Sequence, residues 1–267
     1  MDASPDNAHD PVPFHWAALD YAAVAGEYPP APAFYSSVAQ LSRDAIHDLQ
    51  ERRFLAVVAS AWKIPFYSRL WRAAGLEPGD IRSLDDITRL PIFTIKDIRE
   101  SIERKPPFGD YMGISPADAK RAPLVLVTSG GTTGLPRPML YSLREREIMS
   151  IIRARSLHMH GVRPGDLVQV TMALGLSNGG TGTRETIMRY TSAIAISTGS
   201  GNSTPSRRQI EIAKSLGTNV MLGFPSYLRH LGRVARDELN IDPRELHIKL
   251  LSSHLGTEDR RPIEAMW

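Results

Sequence analysis

The amino-acid sequence predicts an α/β fold: a parallel-rich sheet flanked by helices, preceded by a helical N-terminal region. Three observations predict it. After Arg121, short apolar runs of strand length alternate with helical stretches, the pattern of strand–helix–strand units. Between Ser42 and Lys63, apolar residues recur at helical spacing. A glycine-rich loop follows directly on the first apolar strand, an arrangement suited to phosphate oxygens. Residues 1–120 are therefore expected to form the mostly helical region and 121–267 the α/β subdomain.

Taken in order, residues 1 to about 38 are rich in Pro and Ala and carry Phe14, Trp16, Tyr21, Tyr28, Phe34 and Tyr35. They read as an irregular arm with a short helix. Ile46, Leu49, Phe54, Leu55, Val58 and Trp62 then mark one face of a long helix. Pro65 opens a second helix, Phe66 to Ala74, which Gly75 ends. Asp85 and Asp86 read as a cap on a short turn toward Pro91, and Thr94 caps a helix over 95–102. Residues 104–118 form a Pro/Gly-bearing linker.

The second half opens with a strand at Leu124–Val127. The predicted alternation continues with a helix from Leu143 to His160, a strand at Leu167–Val170 and, after a Gly/Asn loop, a helix near Arg184 to Tyr190. Further strands are expected at 193–196, 219–222 and 248–252, and further helices at 205–216, 226–239 and 262–267. Right-handed crossovers would gather the strand C-terminal ends on one edge, where ligands bind. Glu145, Arg146 and Glu147 read as a solvated helix face.

Bulk properties narrow the function. Of 267 residues, 42% are hydrophobic and 23% charged, and the formal net charge is +3, ordinary for a globular chain. Basic and acidic residues are interspersed, so no nucleic-acid partner is expected. No cysteine is present, which removes disulfides, thiolate metal sites and a cysteine nucleophile. The first residues are acidic and polar rather than signal-like, and no apolar run spans a bilayer. No membrane association is expected, and a cytoplasmic location is.

The loop reads Thr128-Ser129-Gly130-Gly131-Thr132-Thr133-Gly134-Leu135-Pro136. Its glycines permit positive φ and close approach of backbone amides to a ligand, and its hydroxyls add donors. It lacks the Lys-Ser/Thr pair of a Walker loop and the glycine spacing of a dinucleotide fingerprint. This order resembles the phosphate-binding loop of the AMP-forming acyl ligase superfamily. Ile64 to Arg69, Gly75 to Pro78 and Ser83 to Arg99 upstream, and Gly223 to Leu228 and Ile248 to Glu258 downstream, resemble phenylacetate–CoA ligase segments in the same order.

That resemblance implies a ligase that activates a small carboxylic acid with ATP and Mg2+ as an acyl-adenylate and passes it to coenzyme A. Thr128, Ser129, Gly130, Gly131, Thr132, Thr133 and Gly134 would hold the β- and γ-phosphates. Gly256, Thr257 and Glu258 would edge the adenine. Leu176, Ser177, Asn178, Gly179 and Gly180, with Phe224, Pro225, Ser226 and Tyr227, would line the acyl pocket. No metal ligand and no catalytic residue is assigned within the chain.

The chain departs from the family in the loop and in the first pocket segment. Leu135 stands where the family usually has lysine, and the loop carries one extra glycine. The first pocket segment also lacks an aromatic residue, which leaves the acid open although the family suggests an aromatic one. The family's later motifs are not found before Trp267, so the chain is expected to be the N-terminal portion of a longer ligase. The alternative is a degenerate, non-catalytic binding or dimerisation module, and a homodimer is left open. His158 and His160, at i and i+2, fall on different helix faces and are not expected to pair on a metal. His254, next to the adenine edge, reads as a loop histidine rather than a site residue.

Overall fold

A computed structural model of the chain describes residues 15–129, 136–254, 256 and 259–267. The chain divides into two compact units. One comprises Tyr35–Val127 with the flanking residues up to Asp20 and up to Leu143, and the other Tyr21–Phe34, Thr128–Gly130 and Arg144–Trp267. In chain order the elements are α1 (Tyr21–Glu27), α2 (Ala31–Ser36), α3 (Arg43–Ala61), α4 (Pro65–Ala73), α5 (Ile95–Arg104), β1 (Leu124–Thr128) and β2 (Pro138–Ser142). There follow α6 (Leu143–His160), β3 (Leu167–Val170), α7 (Asn178–Tyr190), β4 (Ile194–Ile196), α8 (Ser206–Leu216), β5 (Val220–Leu222), α9 (Pro225–Arg233), β6 (Leu250–Ser252) and α10 (Arg261–Glu264).

In the first unit, local chemistry sets the helix starts. The Ser42 hydroxyl accepts from the Ala45 amide at 3.2 Å and caps α3. Pro65 occupies the first turn of α4, where its missing N–H costs nothing. At α5, Asp97 reaches back to the Thr94 amide at 2.6 Å, closing a capping box. Val58, Ala61, Trp71, Leu76 and Ile81 form the shared core, with Trp62 and Trp71 edge-to-face at 5.0 Å. Asp86 caps a 3-10 turn, Leu84–Arg89, as the sequence suggests. Its carboxyl is lowered to about 2, first by the Arg82 amide and then by the Arg89 guanidinium.

A second charged cluster ties α4 and α5 to the following loop. Arg69 holds both oxygens of Asp110, at 2.8 and 3.2 Å, and the Ser101 hydroxyl donates to the same carboxylate at 2.7 Å. The Arg69 hydrogen bond holds the Asp110 carboxyl below its ordinary range, with burial opposing it and Ser101 adding to it. A depressed carboxyl contributes stability that is fully present above its unfolded pKa and is lost as pH falls through the folded value. Asp110→Ala is expected to cost about 2 kcal/mol at pH 7, a charge-assisted loss discounted for the half-exposed arginine. Urea melts should show the gap between wild type and variant shrinking below pH 4.

The second unit holds a four-stranded sheet in the order β4-β3-β5-β6. Its strands are all parallel, with Val168 opposite Ala195 and Val220, and Met221 opposite Leu251. Alternation along β3 and β5 divides the core. Val168, Val170, Val220 and Leu222 face Leu157 of α6 and Ile187 of α7. Met221 faces Ala213 of α8 and Leu228 of α9. Helices thus cover both faces, as a parallel sheet requires.

Gln169, on the second face, is fully buried; its amide donates to the Gln209 carbonyl and its oxygen accepts from Thr218. A buried polar side chain is tolerated there because its amide and its oxygen are both bonded. The arm at Tyr21–Phe34 forms two short helices and lies on α6. Arg155 stacks over Phe34 at 4.0 Å and donates twice to the Pro29 carbonyl.

Several expectations need correction. The helix expected near Arg184 begins at Asn178, because the glycines that read as loop form its first turn. The helix expected over 226–239 is α9 followed by a wider π turn at Val234–Glu238. Strand β2, which pairs with β1, was not predicted. Arg146 and Glu147 are not a solvated face: each is 3% exposed and ion-paired.

Candidate functional site

In the sheet order, β3 leads outward to β4 on one side, and the chain then returns past β3 to β5 on the other. The switch point lies between β3 and β5, the place where open α/β sheets bind ligands at strand C-terminal ends. A cavity of about 370 Å³ opens there. Its floor is Met172 after β3, Leu222 to Phe224 after β5, and Ser252 to His254 at the end of β6. Its walls are Arg153, Ser156, Leu157 and His160 of α6 and Thr183 of α7. A mainly apolar lining with a few polar groups is the usual form of a small-molecule site.

Close backbone approach shapes this edge. A side chain at Gly223 would meet the Thr171 hydroxyl at 2.2 Å. That hydroxyl donates to the Leu222 carbonyl at 3.0 Å, while Gly223 donates to the Ser252 carbonyl at 3.2 Å. Ser253 donates to the Gly223 carbonyl at 2.7 Å, pinning β5 to β6. His160 meets the Ser252 hydroxyl at 3.0 Å across the cavity mouth.

The start of α7 is built with similar economy. Ser177 caps it, and Thr181 donates back to the Leu174 carbonyl. Gly180 lies against the backbone of residues 172 and 173 so closely that a Cβ would sit 2.3 Å from the Ala173 oxygen. Asn178 accepts from the buried Arg146, which also holds Glu185 at 2.5 Å. Next to this, Glu147 binds Arg189 and the Tyr190 hydroxyl, both at 2.6 Å. Burial first, and then the bond to Glu147, pushes the Tyr190 hydroxyl far above its ordinary value, so it stays a donor.

The sequence-derived site residues fall in several places. Thr128 ends β1; its amide donates to the Leu176 carbonyl at 2.9 Å, and it bridges to Ser177. Thr128 therefore lies beside the start of the 176–180 segment. Gly130, Gly131, Thr132, Thr133 and Gly134 lie outside the described residues, as do Thr257 and Glu258. Gly256 is exposed with a left-handed φ of +57° and open space where a side chain would be.

Among the proposed pocket residues, Phe224 lines the cavity. Leu176 and Ser177 are exposed beside Thr128, Gly179 is half-buried, and Ser226 is exposed. Pro225 is buried in the first turn of α9. Tyr227 turns to the opposite face of the sheet, where its hydroxyl accepts from the Gln209 amide at 3.0 Å and meets Ser206 at 3.2 Å. Reading by motif missed Arg153, His160, Met172 and Thr183. The helical spacing of Arg153, Ser156, Leu157 and His160 was visible as one face, but nothing in the sequence aimed that face at a sheet edge.

The second unit is thus a doubly wound α/β module with a cavity at its switch point. No family model matches the chain. The chain is nevertheless similar to phenylacetate–coenzyme A ligases, as its motifs suggest. It is 28% identical over 210 residues to the Thermus thermophilus ligase and 26% over 223 residues to that of Aromatoleum evansii. These matches cover 78% and 83% of the chain but 44% and 47% of the relatives, so the chain spans about half their length. Among solved structures, an open conformation of 2-hydroxyisobutyryl-CoA ligase in complex with 2-HIB-AMP and CoA matches with a TM-score of 0.75. Its identity to the chain is 29%, over 85% of the chain and 52% of the ligase.

Proposed function

We propose that this chain supplies the acyl pocket and the phosphate-side loop of an AMP-forming carboxylate–CoA ligase. The observation that carries the reading is the switch-point cavity, which shares a unit with Thr128, the first residue of the glycine-rich loop. The likeness to a ligase that holds an acyl-AMP and CoA supports it. In this reading Thr128 to Gly134 hold the β- and γ-phosphates, and Gly256, Thr257 and Glu258 border the adenine. The Thr128 hydroxyl at the end of β1 would add a donor on the phosphate side of such a nucleotide. Bound ATP with Mg2+ supplies the adenylyl group, and coenzyme A accepts the acyl group.

The residues of the chain itself orient and exclude water. Leu157, Met172, Leu222 and Phe224 enclose the body of the acid, while the loop amides stabilise charge on the departing pyrophosphate. Residues 176–180 then join the loop to the pocket rather than line it throughout. A non-catalytic module is the second reading, motivated by Leu135 in place of lysine.

Calorimetry with MgATP separates the two. The wild-type chain is expected to bind saturably, and the Gly131→Val/Gly134→Val double variant to lose at least about tenfold in affinity, the scale of lost phosphate hydrogen bonds. Equal binding by both proteins removes the loop assignment. No nucleotide affinity together with a stable oligomer in light scattering favours the module.

A further inference from the structure

The pocket contains one charge that the ligase reading does not use. Arg153 reaches the cavity from the middle of α6. Among the described residues no acidic side chain lines this cavity, and no hydrogen bond or ion pair engages the Arg153 guanidinium. Glu185 is the carboxylate whose charge favours the Arg153 cation, and Arg146 already holds it at 2.5 Å. Two guanidinium groups therefore share one carboxylate, and a single positive charge is left over at the pocket wall. Burial lowers the affinity of Arg153 for its proton, and neighbouring Arg146 lowers it further. Arg153 is half-buried, and a partly desolvated cation gains from an anion that a ligand supplies.

The fold also makes room for this group. At Gly182 of α7 an added Cβ would stand 2.5 Å from an Arg153 terminal nitrogen. The end of the guanidinium thus occupies space that a side chain at position 182 would take. Thr183 follows at the wall, and Ser156 adds a hydroxyl one turn from Arg153. Between these polar groups and the strand ends lie Leu157, Met172 and Leu222. The pattern is a fixed cation at one side and an apolar floor beneath it.

We propose that Arg153 anchors a second carboxylate of the acid, so that this pocket selects short dicarboxylic acids over monocarboxylic acids of equal length. The proposal rests on the adenylate reading, in which the reacting carboxyl faces the nucleotide. A planar guanidinium suits the remaining carboxylate because it offers two parallel donors. A short apolar spacer then covers Leu157 and Met172.

Non-hydrolysable acyl-sulfamoyl adenosines test this, because they occupy the reacting carboxyl and leave only the distal group free. Titrated into the wild-type chain, the glutaryl analogue is expected to bind about tenfold more tightly than the pentanoyl analogue, the scale of one charge-assisted contact. Arg153→Met should erase the preference. Gly182→Ala, which displaces the guanidinium while keeping its charge, should reduce it, with circular dichroism confirming the fold of each variant. Equal binding of the two analogues to wild type, or a preference that survives Arg153→Met, overturns the proposal.

If neither analogue binds, the adenylate reading fails and free glutarate decides the anchor. Binding lost in Arg153→Met then sustains it, and no binding to wild type overturns it. Inorganic phosphate competing with the glutaryl analogue as strongly as glutarate does would make Arg153 a phosphate contact instead, and also overturns it.

Discussion

Gly180→Ala is expected to destabilise the chain by about 2 kcal/mol, while Gly179→Ala, one residue earlier, is expected to stabilise it by about 0.5 kcal/mol. Both glycines lie in the first turn of α7, where exchange for alanine gains helix propensity of up to about 1 kcal/mol. Their surroundings reverse the sign at one of them. A Cβ at Gly180 would stand 2.3 Å from the Ala173 oxygen and 2.6 Å from the Met172 oxygen. Both are backbone atoms of the loop that follows β3 and cannot swing aside as a side chain would. The helix must move instead, at the usual overpacking cost of about 1–3 kcal/mol. At Gly179 the nearest atoms are 3.6 and 3.9 Å away, ordinary contact.

Urea denaturation of the two variants checks the contrast. The displaced helix carries Thr183 and Gly182, so Gly180→Ala should also weaken ligand binding in the pocket. Equal stability of the two variants would show that α7 does not rest on the 172–173 backbone.

These neighbouring positions also show what the sequence conveyed and what it could not. Alternating strands and helices were legible because β3 and β5 place valine, leucine or methionine at every position but Gln169, and parallel strands are buried on both faces. The start of α7 was not legible, because Asn178-Gly-Gly-Thr-Gly has poor helix propensity. It folds as helix because Gly180 and Gly182 permit contacts that larger residues would block.

Burial of Arg146 and Glu147 was hidden for a related reason. Local charge spacing suggested solvent, but their partners, Glu185 and Arg189, lie about forty residues away. In the site, the glycine-rich loop carried its own local signature. The pocket cation carried none, since an arginine in a helix is significant only once its neighbours are known to be engaged elsewhere. Tyr227 shows the converse. A residue within a recognisable turn was assigned to the pocket, yet Phe224 lines the cavity while Tyr227, three residues on, reaches Gln209 on the other face.

The division of charge among Arg146, Glu185 and Arg153 gives the second large effect. Arg146→Met is expected to cost about 3 kcal/mol, the scale for breaking a buried ion pair. The residue is almost wholly buried and holds both Asn178, at the start of α7, and Glu185, about two turns later. Because the loss arises largely from stranding Glu185, Glu185→Gln in the same background should recover a substantial part of it, which a double-mutant cycle measures.

The same variants act on the pocket with opposite signs. In Arg146→Met, Glu185 becomes available to Arg153, and the preference for the glutaryl analogue should fall although Arg153 itself is intact. In Glu185→Gln, both guanidinium groups remain without a carboxylate, and affinity for the dicarboxylate should rise. A merely structural Arg153 would leave the ratio of the two analogues unchanged in both variants, whatever happened to stability. Titrating both analogues into both variants therefore separates a change in folding from a change in the charge offered to the ligand.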